Sequence, residues 1–262
     1  MIEAKKKFGQ NFLTDKNLLQ KIVRDSFIID DCIEVGPGRG ALTTYIVNSA
    51  RNVVAYEIDY SLKTILDSIA FNNSNLKIVY KDFLEVDLFE EKKTHNLSDN
   101  VTLIGNLPYY ITTPIIFKFI EASFIKKAII MVQKEVGDRI NAQVNTKQYN
   151  ALSVIIQYQA EVKKIVNVDR KMFVPTPNVD SIVISIVKKD NIDDVFKQKF
   201  IYFVKSAFAQ KRKTLVNNLA KSIKISKAEI IEKLHSLSLS ENIRAEQITI
   251  DTFIKLTEVF LI

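Results

Sequence analysis

Apolar and polar positions follow two different periodicities over the first 187 residues. Short β-branched runs predict strands, and most gaps between the first five runs have apolar residues every three or four positions, as in 41–50 and 61–71, which predicts helices. Strands in alternation with helices predict a Rossmann-like α/β fold, with a parallel sheet covered on both faces. No long helical pattern separates the last two runs, so we expect them to form an antiparallel hairpin that closes the sheet. The seven predicted strands are 31–35, 52–57, 76–80, 101–104, 127–132, 162–168 and 181–187.

After residue 187 the strand patterns stop. Helical patterns occupy 195–220, 227–236 and 250–260, and the charge also changes. Residues 1–187 hold 23 bases and 21 acids, whereas 188–262 hold 14 bases and 9 acids, so +5 of the net charge of +7 lies in the second segment. The sequence therefore predicts two domains, an α/β domain at 1–187 and a smaller, helical and basic domain at 188–262.

The composition narrows the class of protein. With 47% apolar and 26% charged residues, the chain of 262 residues is typical of a globular protein. The single cysteine, Cys32, lies in an apolar run typical of a core and cannot form an intrachain disulfide. His95 and His235 lie far apart, which favours neither a metal site nor a histidine triad. Neither a signal peptide nor a run of about 18 apolar residues occurs, so we expect a cytoplasmic protein with no membrane partner. We also expect a monomer.

Glycine and proline are scarce and fall mostly in three short segments, the first of which is Gly36 to Gly40. This segment joins a predicted strand to a predicted helix, where glycines let a ligand approach the backbone and the helix start offers free N–H groups. Glu57 ends the next strand and can accept hydrogen bonds from ribose hydroxyls, and Asp82 after the third strand can bind an adenine amino group. The pattern predicts a nucleotide-type cofactor. Its G-x-G-x-x-A spacing also fits an NAD-dependent oxidoreductase, and a tight turn without a ligand is the other alternative.

The second segment, 105–114, follows the fourth strand. By strand order it lies at the same edge of the sheet as the first segment, so the two should face one crevice. Asn106 offers an amide oxygen, Leu107 a carbonyl ahead of Pro108, and Tyr109 an aromatic face. Two such acceptors can hold an amino group with its lone pair toward an electrophile, and a cationic methyl donor needs mainly proximity and orientation. The segment indicates methyl transfer to a planar base, unless it is only a turn that ends a strand.

At these residues the chain resembles the ribosomal RNA adenine N6-dimethyltransferase family, most closely its bacterial small-subunit branch. Six motifs match in the family's order over nearly the whole chain, and six in register are highly specific although each alone is weak. The family often has asparagine where this chain has Tyr110, which bears on the shape of the target pocket. The matching segments are 8–13 as a cofactor lid, 34–38 with 57–59 as the donor site, 106–109 as the catalytic turn, 133–136, 173–181 and 208–214.

The resemblance implies a seven-stranded methyltransferase sheet and an enzyme that uses S-adenosylmethionine and no metal. It implies dimethylation of N6 on two adjacent adenines near the 3′ end of 16S ribosomal RNA, with the assembling small ribosomal subunit as partner. The target adenine would lie between Tyr109 and Phe173, with Asn106 and the Leu107 carbonyl holding N6 beside Pro108. The residues implied to contact the methyl donor are Asn11, Leu13, Gly36, Glu57, Asp82 and Asn106.

The third proline-containing segment, 173–177, is too rich in proline for a strand interior. We therefore expect a stiff loop that carries Phe173 outward, with a core position for Phe173 as the alternative.

A basic stretch lies between Asp194 and Glu229, where nine bases occur without an acid. Such a stretch suits an RNA phosphate backbone, although a charged face in contact with water would look the same. We expect Lys211, Arg212 and Lys213 to contact RNA and to dock the ribosome rather than read bases.

An oxidoreductase would have no use for the basic helices or for 106–109. Two further functions on related folds remain open. Large-subunit ribosomal RNA adenine N6-methyltransferases of the macrolide-resistance type share the cofactor half, although 133–136 and 208–214 favour the small-subunit branch. A non-catalytic RNA-binding factor on this fold could lose the donor site. In this chain the donor-site residues Glu34, Gly36, Gly38, Glu57 and Asp82 are all present.

Overall fold

A computed structural model describes residues 5, 9–28 and 30–261. Within these ranges the strands, β1 to β9, are Phe12–Leu13, Asp31–Val35, Val53–Tyr56, Leu76–Val79, Val101–Asn106, Ile125–Gln133, Ala160–Val168, Phe173–Val174 and Ser181–Lys188. The helices, α1 to α11, are Lys16–Ser26, Thr43–Ile46, Lys63–Phe71, Leu88–Thr94, Thr112–Glu121, Lys134–Ile140, Ala151–Gln159, Asp194–Ala207, Leu215–Ser222, Lys227–Ser236 and Ile250–Leu261.

Seven strands form one sheet in the order β4-β3-β2-β5-β6-β9-β7. The pairs β2 with β3, β2 with β5, β3 with β4 and β5 with β6 are parallel, and β9 pairs antiparallel with β6. All seven predicted strands are confirmed, with ends shifted by at most two residues. The last two predicted strands, β7 and β9, are neighbours at one edge of the sheet, as expected.

The order of the strands reverses at β2. The chain proceeds outward from β2 to β3 and β4, and then returns to place β5 on the other side of β2. At such a switch point the loops at the carboxyl ends of the two central strands diverge and leave a crevice. Gly105 on β5 allows the close approach there, because a Cβ atom at this position would lie 2.5 Å from the Val35 carbonyl oxygen.

A second, two-stranded sheet joins β1 to β8, with Leu13 opposite Phe173. The expectation that Phe173 points outward is wrong for this structure, because its side chain is 1% exposed and belongs to the hydrophobic core together with Leu13. The strand ends at Val174, immediately before Pro175, so the prolines follow the pairing instead of interrupting it. Burial of a phenyl ring of this size stabilises the fold by roughly 1.5–3 kcal/mol.

The described residues fall into two compact units. The first consists of residues up to Gly137 with Lys163–Lys188, and the second of Asp138–Val162 with the chain from Lys189 onward. The predicted domains differ in one segment, since 138–162 packs with the second unit rather than the first. Tyr158 of α7 explains this packing, because its ring stacks on Phe200 of α8 with 4.0 Å between centroids.

The helix predicted over 195–220 is two helices, α8 and α9. Thr214 caps the start of α9 by accepting a hydrogen bond from the Asn217 N–H, a preferred role for a threonine hydroxyl. The buried Asn218 amide donates to the carbonyls of Ala207 at 2.6 Å and Gln210 at 3.1 Å, and so satisfies the end of α8. No helix in the described ranges is both long and apolar enough to cross a membrane.

We expect Asn218→Ala to lower the free energy of unfolding of the second unit by about 1–3 kcal/mol, because the buried Ala207 carbonyl loses its donor, whereas the Gln210 carbonyl keeps the Lys213 N–H. Thermal and urea unfolding followed by circular dichroism measure the change. Asn242→Ala is the control at an exposed asparagine of the same unit, with an expected change within about 0.5 kcal/mol. Equal effects of the two substitutions would contradict the capping role of Asn218.

Candidate active site

A cavity of about 430 Å³ opens in the first unit at the carboxyl edge of the sheet. Its walls come from the segments that follow β2, β3, β4 and β5, together with the N-terminal segment from Gly9 to Thr14. This volume lies within the range of about 300–1,000 Å³ that is common for small-molecule sites. All six residues predicted to contact the methyl donor line the cavity: Asn11, Leu13, Gly36, Glu57, Asp82 and Asn106.

The glycine-rich segment after β2 bends along the cavity. Gly36, Gly38 and Gly40 have φ angles of +68°, +60° and +78°, in the left-handed region that favours glycine. The helix predicted over 41–50 is only the single turn α2, and the Gly40 N–H already donates to the Pro37 carbonyl. The segment therefore offers a ligand close contact with the backbone rather than the N-terminus of a long helix.

Glu57 lies at the end of β3 with 4% of its surface exposed. Its Oε2 accepts a hydrogen bond from the Gly38 N–H at 3.0 Å, and its Oε1 accepts one from the Asp59 N–H at 2.8 Å. Burial raises the pKa of this carboxyl. Since a carboxylate oxygen can accept more than one hydrogen bond, the fixed carboxylate remains able to bind two ribose hydroxyls.

Glu34 is a second buried carboxyl in the cavity wall, with 1% of its surface exposed. Its Oε2 makes no hydrogen bond to any residue that the structure describes. Burial raises the pKa of Glu34 to about 8 against an opposing effect of the Thr43 hydroxyl, and the negative charge of Glu57 makes a smaller contribution in the same direction as burial. An unsatisfied buried oxygen is costly and uncommon, so its position in the wall fits a ligand that supplies polar groups.

Asn106 is held in one orientation. Its side-chain Nδ2 donates to the Asn11 carbonyl at 2.9 Å. Asn106 lines the cavity, and its amide oxygen accepts no hydrogen bond from a described residue. This arrangement supports the prediction of an acceptor for an amino group. The contribution of Asn11 comes from its backbone carbonyl, which the sequence alone did not indicate.

The turn after Asn106 is rigid. The Pro108 carbonyl accepts hydrogen bonds from the Ile111 N–H at 3.1 Å and from the Thr112 hydroxyl at 3.2 Å. The Leu107 N–H donates to the Met131 carbonyl at 3.1 Å, and the Leu107 side chain is buried. Because the backbone is fixed on both sides, the Leu107 carbonyl is presented in a defined direction.

Tyr109 is anchored through its hydroxyl. The oxygen lies 3.0 Å from Oγ of Ser181, a fully buried residue at the start of β9. Of the five residues predicted to be catalytic, Asn106, Leu107, Pro108 and Tyr109 line the cavity, whereas Phe173 does not. Ser181 had no predicted role, although it lies in one of the motifs that resemble the family.

The N-terminal segment is tied to the strand β3 side of the cavity by Asp59. This carboxylate accepts hydrogen bonds from Lys5 Nζ at 2.6 Å and from Gln10 Nε2 at 2.9 Å. Although burial acts to raise it, hydrogen bonds from Lys5, Ser61 and Gln10 lower the pKa of Asp59 to about 2. Phe8 of the predicted lid lies outside the described residues, whereas Gly9 to Leu13 line the cavity. Sequence reasoning missed the anchoring role of Asp59.

Lys211, Arg212 and Lys213 lie on the loop between α8 and α9 of the second unit, and all three are exposed. The Asn218 amide fixes the backbone at the start of this loop by donating a hydrogen bond to the Gln210 carbonyl. These three side chains are therefore presented to solvent by a fixed backbone.

Comparison with known proteins identifies relatives over almost the full chain. The family model described as ribosomal RNA adenine dimethylase matches residues 1–260. Ribosomal RNA small subunit methyltransferase A of Aster yellows witches'-broom phytoplasma is 54% identical over 256 residues, which cover 97% of this chain and 94% of the relative. The protein of the same name from Lactococcus lactis is 41% identical over 266 residues, which cover 98% and 90% of the two chains.

Two solved structures share the fold. A dimethyladenosine transferase from Plasmodium falciparum matches with a TM-score of 0.80 and 24% identity over 94% of this chain and 95% of its own. The 23S ribosomal RNA methyltransferase ErmE matches with a TM-score of 0.75 and 23% identity over 95% of this chain and 99% of its own. The predicted Rossmann-like methyltransferase fold with a helical C-terminal region is confirmed.

The buried Glu34 carboxyl gives a pH-dependent prediction. Its pKa rises on folding from an ordinary value of 4.5 to about 8, so the folded state retains a proton that the unfolded chain has lost between these values. Unfolding then releases a proton, and a rise in pH favours it. We expect Glu34 to lower the free energy of unfolding by up to about 1.4 kcal/mol per pH unit in this window.

Glu34→Gln removes the titrating group. We expect the unfolding temperature of the variant relative to the native protein to rise steadily from pH 5 to pH 8, as measured by scanning calorimetry at several pH values. Glu85→Gln, at an exposed position, is the control and should show no such trend. A pH-independent difference between Glu34→Gln and the native protein would show that Glu34 does not hold a proton in the folded state.

Proposed function

The chain belongs to the ribosomal RNA adenine dimethylase family, and we propose that it dimethylates N6 of two adjacent adenines near the 3′ end of 16S ribosomal RNA. The methyl donor in this family is S-adenosylmethionine, and the partner is the assembling small ribosomal subunit. We place the reaction in the cytoplasm. Membership of the family removes the NAD-dependent oxidoreductase from consideration.

The observation that carries the proposal is the orientation of Asn106. Because its Nδ2 is bound to the Asn11 carbonyl, its Oδ1 is available to accept an N–H from a substrate amine. The Leu107 carbonyl on the adjoining rigid turn is a second acceptor. Two acceptors that take both hydrogens of an exocyclic amine draw its lone pair out of the ring plane and fix the direction of attack. Such orientation can supply several kcal/mol of a reaction barrier.

The cavity residues fit the methyl donor. S-adenosylmethionine supplies an electrophilic methyl group when it is bound. Glu57 is placed to accept the ribose hydroxyls, and Asp82 is placed to accept an adenine amino group. The unpartnered Glu34 Oε2 offers a further polar contact, and the glycines at 36, 38 and 40 allow close backbone approach. The chain thus retains the donor-site residues that a non-catalytic RNA-binding factor could lose.

Tyr109 holds the target base in this proposal. Its ring lies half exposed in the cavity wall, and the contact between its hydroxyl and Ser181 fixes its position, so that a planar base can stack on it. Phe173 supports the site from the core through its pairing with Leu13, which itself lines the cavity. A direct contact between Phe173 and the adenine would need a different position of its ring.

The small-subunit substrate is favoured over the large-subunit alternative by the sequence relatives. Relatives at 54% and 41% identity are both named small subunit methyltransferases, whereas the large-subunit enzyme ErmE shares 23% identity, which reflects the common fold. Lys211, Arg212 and Lys213 then serve as phosphate contacts that dock the enzyme on the ribosomal RNA.

We expect the purified protein to transfer labelled methyl groups from S-adenosylmethionine to adenine in unmethylated small ribosomal subunits. Scintillation counting and nucleoside chromatography would detect N6,N6-dimethyladenosine. Large subunits and naked 16S RNA are the comparison substrates. Incorporation into large-subunit RNA alone would move the protein to the resistance type, and no incorporation into either would overturn the enzymatic function.

Asn106→Ala removes the amide acceptor for the target amine. We expect turnover to fall by roughly 100-fold or more, as when other preorganised polar contacts to a reacting group are removed. Donor affinity, measured by equilibrium dialysis with labelled S-adenosylmethionine, should weaken only a fewfold. Asn100→Ala, at the exposed residue just before the same strand, should leave both values unchanged. Unchanged turnover in Asn106→Ala would show that Asn106 does not orient the amine.

A further inference from the structure

Tyr110 is an exposed aromatic residue at the mouth of the cavity to which the proposed reaction gives no role. Its side chain is 61% exposed, although it lines the cavity. Its hydroxyl makes no hydrogen bond to the residues that the structure describes, in contrast to that of Tyr109. A large ring left open at the edge of a site for a planar base is itself suited to stack on a base.

The turn places the two tyrosine rings on different surfaces. Tyr109 and Tyr110 are the central residues of the turn from Pro108 to Ile111, which is closed by the hydrogen bond from the Ile111 N–H to the Pro108 carbonyl. The Tyr109 hydroxyl reaches Ser181 on β9. The Tyr110 ring instead lies beside Gly9, where a Cβ added to that glycine would be 3.6 Å from Tyr110 Cε1.

The hydrogen bonds of the turn fix the backbone beneath both rings. The Thr112 hydroxyl adds a second hydrogen bond to the Pro108 carbonyl, and α5 begins at Thr112 directly after the turn. A base that stacks on Tyr110 therefore requires little ordering of the backbone beneath the ring. Preorganisation of this kind favours binding.

We propose that the Tyr110 ring is a second base subsite, which stacks on the nucleobase adjacent in sequence to the adenine held on Tyr109. The inference rests on the proposed function, whose substrate carries two adjacent adenines. When one of them occupies the cavity, its neighbour is tethered by a single phosphodiester and must lie near the mouth. RNA loops are commonly recognised by unstacked bases that lie on aromatic side chains.

The alternative role for Tyr110 is to brace the N-terminal segment through Gly9. The two roles affect different ligands. A base subsite acts on the RNA substrate, whereas a brace of the segment that lines the donor cavity acts on S-adenosylmethionine. Separate measurement of the two ligands therefore decides between them.

The test compares Tyr110→Ala and Tyr110→Phe with the native protein on unmethylated small subunits. Loss of one stacked base should lower kcat/KM for subunits in Tyr110→Ala by about 5- to 150-fold. Tyr110→Phe keeps the ring and should stay within twofold of the native value. The dissociation constant for labelled S-adenosylmethionine, measured by equilibrium dialysis, should change less than twofold in both variants. Phe71→Ala removes an aromatic ring that is 91% exposed outside the cavity, and serves as the control with no expected change.

A substitution in the RNA supplies the second arm. Subunits with a pyrimidine in place of the adjacent adenine offer a weaker stacking surface, so the native protein should methylate the remaining adenine more slowly. Tyr110→Ala should be indifferent to the same change, and this lack of additivity is the signature of direct contact.

The possible outcomes distinguish failure of the proposed function from failure of the base subsite alone. Failure of the native protein to methylate any subunit overturns the proposed function and the subsite with it. Normal native activity with an unchanged kcat/KM in Tyr110→Ala overturns the subsite alone. Weaker donor binding with an unchanged response to the adjacent base would also overturn it, in favour of a brace for the N-terminal segment.

Discussion

The close approach of β2 and β5 is the constraint on which the site depends. These strands are neighbours in the sheet but are separated in sequence by β3 and β4, so their carboxyl ends bring together segments some 70 residues apart. Gly105 permits the contact, since any side chain would meet the Val35 carbonyl oxygen. The glycine-rich segment that starts at Gly36 and the turn that starts at Asn106 are adjacent for this reason. The proposed methyl transfer needs both segments at one cavity.

Three buried carboxyls in and beside the cavity differ in the hydrogen-bond donors that surround them. Glu57 has two backbone N–H donors, whereas Oε2 of Glu34 has none among the described residues. Asp59 is surrounded by donors, and the pKa of its carboxyl is accordingly low. Burial raises the pKa of Glu34 and Glu57, whereas hydrogen bonds from Lys5, Ser61 and Gln10 outweigh burial and lower the pKa of Asp59. Sequence spacing alone gives them no such distinction.

Most of the fold could be predicted from the periodicity of apolar residues and from the order of the predicted strands. All seven strands of the large sheet could be identified because each is a β-branched run between turn residues, and a sheet covered on both faces leaves that pattern clear. The cavity residues could be predicted because parallel strands bring their carboxyl ends to one edge. Phe173 could not, since its burial depends on a two-residue pairing with Leu13, 160 positions away. The roles of Ser181 and of the Asn11 carbonyl could not be predicted either, because a hydrogen bond between residues distant in sequence leaves no local sequence pattern.

The assignment of 138–162 to the second unit also depends on a distant contact, and it bears on how such a protein can be divided. The chain leaves the first unit after Gly137, returns at Lys163 and leaves again after Lys188. A single cut at 188 would therefore remove α8 to α11 without α7, and would strip Tyr158 from the otherwise fully buried ring of Phe200. The helical unit is not a tail that can be exchanged between relatives as one contiguous piece. Recombination that replaces it intact has to carry two separate stretches of the gene, which ties the evolution of the helical unit to that of the sheet.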